Sequence, residues 1–579
     1  MDAAHDPNLT ALWCRAIAEE LHRSGIARAV LCPGSRNGPL LHALHAQLAA
    51  ACLSHVDERS AGFLALGMAK QLGQPVAVCV TSGSALANLL PAATEAHAAG
   101  VPLILISADR PWEAHDASSP QTMRQQGLFG HFVRHDLLLG EPIADDRALR
   151  SLRARVCWLV HHSRQDGGPV HLNVPLRDPL TPARDPAWSD YQLSRPALIG
   201  RAQGSPAVRI AARQADGVSR DASQWRALIG DLPAEVRGLI VAGPAAGLEP
   251  AQLDQLALST GYPLIADAPG GLRERCTSVI ATADALVSGP VGQLKAELII
   301  QAGPGSLARS TYEYLDRQHC PWLVLAGGDA NPDFLHRATA AVHKPGADDL
   351  KQLADILGRA PEAWRSAWQE GELSARRALR AQMQEEPWGE VLAAHLAVNH
   401  PGFALLHVAS SMAVRHANLH CLPGVRLRPI TANRGLNGID GTLGTFLGEL
   451  AAHPGNGLLL IGDLAALHDL PALAAGRAPG PAGAIVVINN DGGGIFDFLS
   501  VAQLPAYRQL VRTPHGMDFS HIAGQFGLVY HVVDSPEELA RRLDQAALGA
   551  GLMLIECQVD GDAVARHRSL IARMAGPAA

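Results

Sequence analysis

Residues Gly457–Ile495, GLLLIGDLAALHDLPALAAGRAPGPAGAIVVINNDGGGI, decide how this chain is read. A short apolar run, Leu458–Ile461, ends in Gly462-Asp463. Leucines at helical spacing follow (Leu464, Leu467, Leu470, Leu473), then a Gly/Pro loop. A second β-rich run, Ala484–Ile488, ends in Asn489-Asn490 and a glycine cluster. The pattern is strand–helix–strand, with parallel strands and polar residues at both carboxyl ends. Open α/β sheets bind ligands in the crevice outside those ends, so Asp463 and Asn490 are expected as neighbours offering hard oxygen ligands. Gly492 and Gly494 let the backbone approach closely, which adds a carbonyl. One carboxylate, one amide oxygen and one carbonyl suit Mg²⁺ or Ca²⁺, the remaining positions falling to a diphosphate and water. The competing reading is an ordinary crossover unit whose loop ends are merely polar.

Length and composition bound the rest. A chain of 579 residues is expected to hold three or four domains. With 47% hydrophobic and 18% charged residues it reads as a globular enzyme rather than a disordered chain. Aromatics are only 4%, so the cores must be built from Ala, Leu and Val. A net charge of −7 argues against general nucleic-acid affinity. The opening MDAAHDPNLT is acidic and polar, unlike a signal peptide, and apolar runs such as Val101–Ser107 are too short to span a bilayer. Nine cysteines without a CxxC pair point to reduced thiols and a cytoplasmic address. The 26 histidines show no metal-type spacing; His161-His162 are adjacent and cannot share one helix face.

Read in order, residues 9–28 form an amphipathic helix, and a strand at Ala29–Cys32 runs into Pro33-Gly34-Ser35-Arg36-Asn37-Gly38-Pro39. Ser35 and Arg36 therefore sit between a strand end and a helix N-terminus, a natural anion site. In Asp57-Glu58-Arg59-Ser60 a short strand turns into a Gly/Ala-rich helix, Ala61–Gln71, whose small-residue face suits close packing against another helix or a second copy. Either acidic residue could simply complement the helix dipole, and the pattern alone does not separate Asp57 from Glu58. Strand Val76–Val80 leads to Thr81-Ser82-Gly83-Ser84, and strand Leu103–Ser107 to Asp109-Arg110-Pro111 and a polar loop holding Gln121. PVHLNV (169–174) is a further strand. Strands alternating with helices over residues 1–180 make one doubly wound α/β domain.

Residues 178–235, rich in Pro, Arg, Asp and Ser, read as a linker wrapping over the surface. Strands follow at Gly238–Ala242, Leu264–Ala266, Glu297–Gln301 and Trp322–Ala326, with loops at Gly243-Pro244, Gly303-Pro304-Gly305-Ser306 and Gly327-Gly328-Asp329. No G-x-G-x-x-G fingerprint opens a helix there, which favours a structural domain without its own cofactor; Arg309 could still reach a neighbouring site. A charged helix, Glu362–Gln384, bridges to a third segment. In it, strand Ala404–Val408 ends in Ser410-Ser411, with Arg415 one helical turn on. Arg428–Ile430 leads to Thr431-Ala432-Asn433-Arg434-Gly435-Leu436-Asn437-Gly438-Ile439-Asp440. The first and third segments share an α/β rhythm without an obvious sequence repeat.

The run from Gly462-Asp463 to Asn489-Asn490 resembles the thiamine-diphosphate motif, with Leu464 where many relatives carry Gly. That resemblance requires a glutamate elsewhere in the chain for the cofactor's aminopyrimidine. Further motifs are CPGSRNGPL (32–40), DERSAGFLALGMAK (57–70), TSGSALANLLPAATEA (81–96), SADRP (107–111), GPVHLNVPLRDPL (168–180), ANRGLNGID (432–440), NNDGGGIF (489–496) and TPHGMDF (513–519). Together they are similar to those of the 2-succinyl-5-enolpyruvyl-6-hydroxy-3-cyclohexene-1-carboxylate synthase family, thiamine-diphosphate enzymes of menaquinone biosynthesis.

The resemblance implies three doubly wound α/β domains: pyrimidine-binding (1–185), middle (186–375) and diphosphate-binding (376–579). It implies Glu58 as the activating glutamate, and Asp463, Asn490 and the Gly492 carbonyl as ligands of Mg²⁺ or Mn²⁺. Ile439 would be the apolar wedge under the cofactor, with Ser411, Leu464, Ile495 and Phe496 also against it. Ser35, Arg36, Arg110, Gln121, Arg309, Ser411, Arg415, Arg434, Phe496 and Leu499 would meet the substrates. Those substrates are 2-oxoglutarate, which is decarboxylated, and isochorismate, which receives the remaining fragment by conjugate addition. The assembly would be a homodimer, or two dimers paired as a homotetramer. Arg309 replaces a commoner Lys, keeping the charge and changing its shape; Asn37-Gly38 and Leu436-Asn437 replace commoner small residues.

The chemistry suits these residue types. Both substrates are dicarboxylates, and Arg36, Arg110, Arg309, Arg415 and Arg434 offer bidentate partners to carboxylates, whereas a lone surface arginine in an ion pair is worth only about 0–1 kcal/mol. Two rivals remain. An acetolactate-synthase-like carboligase shares the metal motif but commonly takes flavin in its middle domain. A non-catalytic thiamine-diphosphate-binding scaffold is opposed by Glu58, Asp463 and Asn490 all being present.

Overall fold

The computed structural model describes residues 6–576 apart from 188–190, 202–203, 211–218, 244–247, 277, 328–330, 424–427, 478–481 and 561–562. The loop residues Pro244, Gly328 and Asp329 lie outside the described residues.

Three parallel six-stranded sheets carry the chain. The first contains β1 (Ala29–Leu31), β2 (Cys52–Ser54), β3 (Val76–Val80), β4 (Leu103–Asp109), β5 (Asp136–Leu138) and β6 (Pro169–Pro175), in the order β2-β1-β3-β4-β6-β5. The second contains β7 (Gly238–Ala242), β8 (Leu264–Ala266), β9 (Val279–Ile280), β10 (Leu298–Ala302), β11 (Trp322–Ala326) and β12 (Ala340–His343), in the order β12-β11-β10-β7-β8-β9. The third contains β13 (Leu405–Val408), β14 (Ile430–Thr431), β15 (Gly457–Gly462), β16 (Gly483–Asn489), β17 (Val529–Val533) and β18 (Leu552–Gln558), in the order β14-β13-β15-β16-β18-β17. Counted within each sheet, the first and third share one strand order and the second has another. The rhythm seen in the sequence is thus a repeated topology.

The central strands β3, β4, β7, β10, β11 and β13 are buried along their whole length. Helices cover both faces of such a sheet, so these strands read as unbroken apolar runs rather than alternating patterns. Two elements differ from expectation for identifiable reasons. The first helix, Leu9–Arg23, stops at Ser24-Gly25, where Gly25 takes φ +88°. The leucine-spaced segment after Asp463 splits into an α-helix, Asp463–His468, and a 3₁₀ stretch, Leu470–Arg477; Pro471 cannot donate the bond that would continue the α-ladder.

The chain packs as two compact units. One comprises Met1–Arg213, Asn433–Pro454 and His468–Pro479; the other comprises Gln214–Ala432, Gly455–Leu467 and Gly480–Ala579. In the first unit the linker wraps as expected. Its helix Arg195–Ile199 lies where the Leu198 carbonyl accepts from both Arg15 (3.1 Å) and Arg153 (2.8 Å), and the Ala207 N–H donates to the buried Glu20 at 2.8 Å. Glu20 also pairs with buried Arg153 at 2.8 Å, so the strap supplies the hydrogen bonds that a buried ion pair requires.

The small-residue face of helix Glu58–Leu72 is filled by the chain itself, which corrects its use as an argument for a second copy. Helix Thr442–Ala452 lies so close that a methyl on Gly67 would stand 2.0 Å from the Thr445 carbonyl oxygen, and one on Gly448 would stand 2.1 Å from that of Leu64. Phe63 fills the hollow over Gly441.

Gly67→Ala is therefore expected to push these two helices apart and cost about 1–3 kcal/mol, read as a lower midpoint in thermal unfolding. Gly38→Ala, where a methyl meets nothing within 4 Å, should stay within about 0.5 kcal/mol of the parent. Equal midpoints for the two variants would contradict the close helix contact.

Candidate functional site

In the first unit the candidate residues gather at the carboxyl ends of β1, β2, β3 and β4. Asp57 and Glu58, indistinguishable by pattern, are separated by geometry. Asp57 is the N-cap of helix Glu58–Leu72 and accepts from the Ser60 N–H at 3.0 Å and from the Ser60 hydroxyl. Glu58 is the first helical residue and receives the Asn88 amide nitrogen at 3.3 Å, leaving its other oxygen for a ligand. The loops after β1 and β3 touch: a methyl on Gly34 would stand 2.5 Å from the Thr81 side chain. Asn37 is wholly buried and donates to the Cys32 carbonyl at 2.8 Å, so it closes the turn that carries Ser35 and Arg36.

Arg36 donates to the Leu176 carbonyl at 2.9 Å and approaches Asp178 at 3.5 Å. Arg110, just past β4, is held below its ordinary pKa by burial and then by the neighbouring Arg36 charge. The two cations are thus drawn together beside the Asp178 carboxylate. The Nε atoms of both arginines are buried without a hydrogen-bond partner, and so is the Ser82 hydroxyl. Gln121 hangs beside them, its amide 3.4 Å from the Ser82 carbonyl. Sequence reasoning missed Gln125, which threads between the strand ends. It accepts from the Gly83 N–H (2.9 Å) and donates to the Ala108 carbonyl (3.0 Å) and to Asn173 (2.8 Å).

Arg434 and Ile439 also belong to this unit. Their loop is pinned by the Glu95 carboxylate, which accepts from the Gly435 and Leu436 N–H groups at 2.8 and 2.7 Å. Ile439 is 38% exposed. Gly441 and Gly444 just after it press on Phe63, and a methyl on Gly444 would stand 3.3 Å from the Ser60 carbonyl. Ile439 and Glu58 thus share one end of the helix pair.

In the second unit β15 and β16 pair in parallel with Gly462 opposite Ile488, which brings Asp463 and Asn490 to adjacent strand ends. Asp463 is 2% exposed. Its Oδ1 accepts from the Leu464 N–H at 2.6 Å; its Oδ2 accepts from the Gly492 N–H at 2.8 Å and lies 3.2 Å from His515 Nε2. Gly492 has φ +119°, and a methyl there would stand 2.2 Å from the Arg512 carbonyl, so only glycine fits. Arg512 donates to the Asn490 carbonyl at 2.6 Å. The Asn490 amide nitrogen donates to Glu390 at 2.8 Å, while its oxygen has only a 3.5 Å contact from Arg512.

Among the described residues no group of three or more His, Cys, Asp or Glu is placed to hold a metal. The oxygens of Asp463, of the Asn490 amide and of the nearby backbone carbonyls could instead hold a cation. That donor set fits a hard divalent ion. Ile495 and Phe496 form the 3₁₀ turn Gly494–Phe498 next to it, followed by Leu499. Phe496 and Leu499 present apolar surface to solvent.

Ser411, at φ +69°, precedes helix Met412–His420, and Arg415 folds back to donate to its carbonyl at 2.7 Å. Arg309 opens helix Arg309–Asp316, with its side chain 85% exposed and paired to Glu313 at 2.7 Å. Buried Asp284 joins these two helices, accepting from Thr311 (3.1 Å) and Asn418 (2.8 Å). Arg309 and Arg415 therefore lie in the first turns of helices that share Asp284, and Arg309 is turned to solvent.

Behind Asn490 lies a histidine cluster for which the sequence holds no signal. His416 Nε2 is 3.0 Å from Glu390 and its ring stacks on His420, while His567 meets it edge-on. Burial raises the Glu390 carboxyl, but the hydrogen bonds from His416 and Asn490 and the charges of His416 and His567 together outweigh it, and the net shift is downward. Burial pushes His395 down to about 4; burial and then the His416 charge push His567 down to about 3.

Residues 14–128 match the family described as "Thiamine pyrophosphate enzyme, N-terminal TPP binding domain". Three doubly wound sheets with acidic and amide groups at strand ends, together with that match, define a thiamine-pyrophosphate-dependent transferase that forms C–C bonds. The chain is 38% identical to the 2-succinyl-5-enolpyruvyl-6-hydroxy-3-cyclohexene-1-carboxylate synthase of Myxococcus xanthus (strain DK1622) over 98% of both chains. It is 36% identical to the synthase of that name from Halobacterium salinarum (strain R1), again over 98% of each. The Chloroflexus aurantiacus synthase is 36% identical over 98% of this chain and 96% of its own. The protein belongs to this synthase family. No helix among the described residues is long and apolar enough to cross a membrane, and all nine cysteines are free.

The histidines make stability depend on pH. An unfolded histidine titrates near 6.5, whereas His395 in the fold titrates near 4. As pH falls through that window the unfolded chain takes up protons that the native chain refuses, so stability is complete above 6.5 and lost toward 4. The melting temperature of His395→Gln should fall less steeply between those limits than that of the parent. Parallel curves would show that His395 is protonated in the native fold.

Proposed function

We propose that this protein decarboxylates 2-oxoglutarate and adds the remaining fragment to isochorismate by conjugate addition, using thiamine diphosphate and Mg²⁺ or Mn²⁺, as a cytoplasmic step of menaquinone biosynthesis. The observation that carries the reading is the pair Asp463 and Asn490 at adjacent parallel strand ends, with the Asn490 oxygen meeting only Arg512 at 3.5 Å and Gly492 closing on Asp463. The names of the relatives support the choice of reaction. The domains in this reading are 1–185 (pyrimidine-binding), 186–375 (middle) and 376–579 (diphosphate-binding).

Asp463, the Asn490 oxygen and the Gly492 carbonyl would hold the metal, and through it the diphosphate. Leu464, Ser411, Ile495 and Phe496 would line the cofactor, and Ile439 would keep it bent. Bound there, thiamine diphosphate supplies the electron sink that decarboxylation needs. Glu58 holds and returns a proton at the aminopyrimidine, for which its free carboxylate oxygen is suited. Arg36 and Arg110, with Ser35 and Gln121, bind carboxylate; their crowding and unpartnered Nε atoms are the feature that an anion relieves. Arg415 and Arg434 orient the second dicarboxylate, and the exposed Arg309 would exchange its Glu313 partner for it. Phe496 and Leu499 exclude water.

The direct test is a coupled assay of purified protein with 2-oxoglutarate, isochorismate, thiamine diphosphate and Mg²⁺. Product formation that needs all four is expected. A flavin-retaining preparation that condenses pyruvate instead would replace this reading with an acetolactate-type carboligase.

Glu58 and Asp463 belong to different units, and one cofactor has to reach both through its opposite ends. In this reading the working assembly is a homodimer, alone or paired into a tetramer, with Glu58 of one protomer serving the diphosphate site of its partner. Glu58→Gln and Asp463→Ala should each be inactive. Mixing them and allowing subunits to exchange should restore activity, since a mixed dimer collects both lesions in one site. Verified exchange without recovery would mean that each site is built from a single chain.

A further inference from the structure

We infer that Glu390 is a positioning residue: it captures the nitrogen end of the Asn490 amide so that the oxygen end faces the metal, and His416 holds Glu390 in turn. The inference rests on the reading of Asn490 as a metal ligand. A primary amide has two ends of nearly equal shape, one accepting and one donating. Only the oxygen end can ligate a cation, and an NH₂ turned toward the ion would repel it. Glu390 removes the ambiguity, because a carboxylate only accepts.

The geometry is specific. Glu390 opens helix Glu390–Asn399, far from Asn490 in sequence, and is 3% exposed, so water does not substitute for it. One of its oxygens accepts from Asn490 Nδ2 at 2.8 Å, and the other meets His416 Nε2 at 3.0 Å. His416 is fixed by its stack on His420 and the edge of His567. Groups that orient ligands in this way commonly carry about 10–100-fold in metal affinity.

The test is calorimetric titration of the purified full chain with thiamine diphosphate and Mg²⁺. Glu390→Leu should weaken binding by about 10-fold or more. Asn490→Asp keeps oxygen ligands but turns a carboxylate toward Glu390, and should weaken binding comparably. Combining Asn490→Asp with Glu390→Gln exchanges donor and acceptor across the pair, since the introduced glutamine amide donates to the new carboxylate while its oxygen still accepts from His416. Binding should recover to within about three-fold of the parent. This recovery remains readable if Glu390→Leu fails to fold. Asp463→Ala tests the underlying reading. If it and Asn490→Ala bind like the parent, the metal site itself is misassigned. If Asp463→Ala loses binding while Glu390→Leu keeps it, or if the double variant shows no recovery, Glu390 has no positioning role.

Discussion

The register between β15 and β16 is the constraint from which the second unit's site follows. Parallel strands advance in step, so with Gly462 opposite Ile488 the next residues, Asp463 and Asn489, emerge side by side and Asn490 follows one step beyond. Both chains then have to turn away at once to leave a crevice. One turns into a helix headed by Asp463. The other turns through Asp491 and Gly492 at positive φ, where any larger residue at 492 would strike the Arg512 carbonyl. Once those turns are fixed, the Gly492 N–H reaches Asp463, Arg512 reaches the Asn490 carbonyl, and the Asn490 side chain is left with its nitrogen toward Glu390. None of these bonds survives a one-residue slip of β16.

The same logic explains what could be read from the sequence. Central strands are apolar on both faces, so their limits were legible: Val76–Val80, Gly238–Ala242, Leu264–Ala266 and Trp322–Ala326 stand where the runs of Val, Leu and Ile place them. The edge strands β5 and β12 carry no such run, and β17 (VYHVV) is interrupted by His531 and largely unburied, so none of the three was read as a strand. The Gly-Asp and Asn-Asn pairs were legible because chemistry and turn geometry demand the same residues. The choice between Asp57 and Glu58 was not, because capping is decided by which side chain folds back on Ser60. Glu390 left no trace, since its partner is brought to it only by the third sheet's packing. The small-residue face of helix Glu58–Leu72 declared that something would approach closely, but not what.

Each sheet has a different task despite the shared rhythm. The first and third repeat one strand order and carry nearly all the candidate groups at their carboxyl ends. The second has its own order, and its polar groups are turned inward. Arg273 donates to the Ala266, Asn418 and Ala281 carbonyls, and burial raises the Asp267 carboxyl to about 7. These inward bonds tie the elements of the second unit together.

The discontinuity of the first unit has a consequence for biosynthesis. Helix Glu58–Leu72 leaves the ribosome early, but the helix that covers Gly67 belongs to a segment that ends only at Pro454. At roughly 5–20 residues per second that delay is on the order of tens of seconds. For that interval the face around Phe63 and Gly67 has no partner helix to cover it.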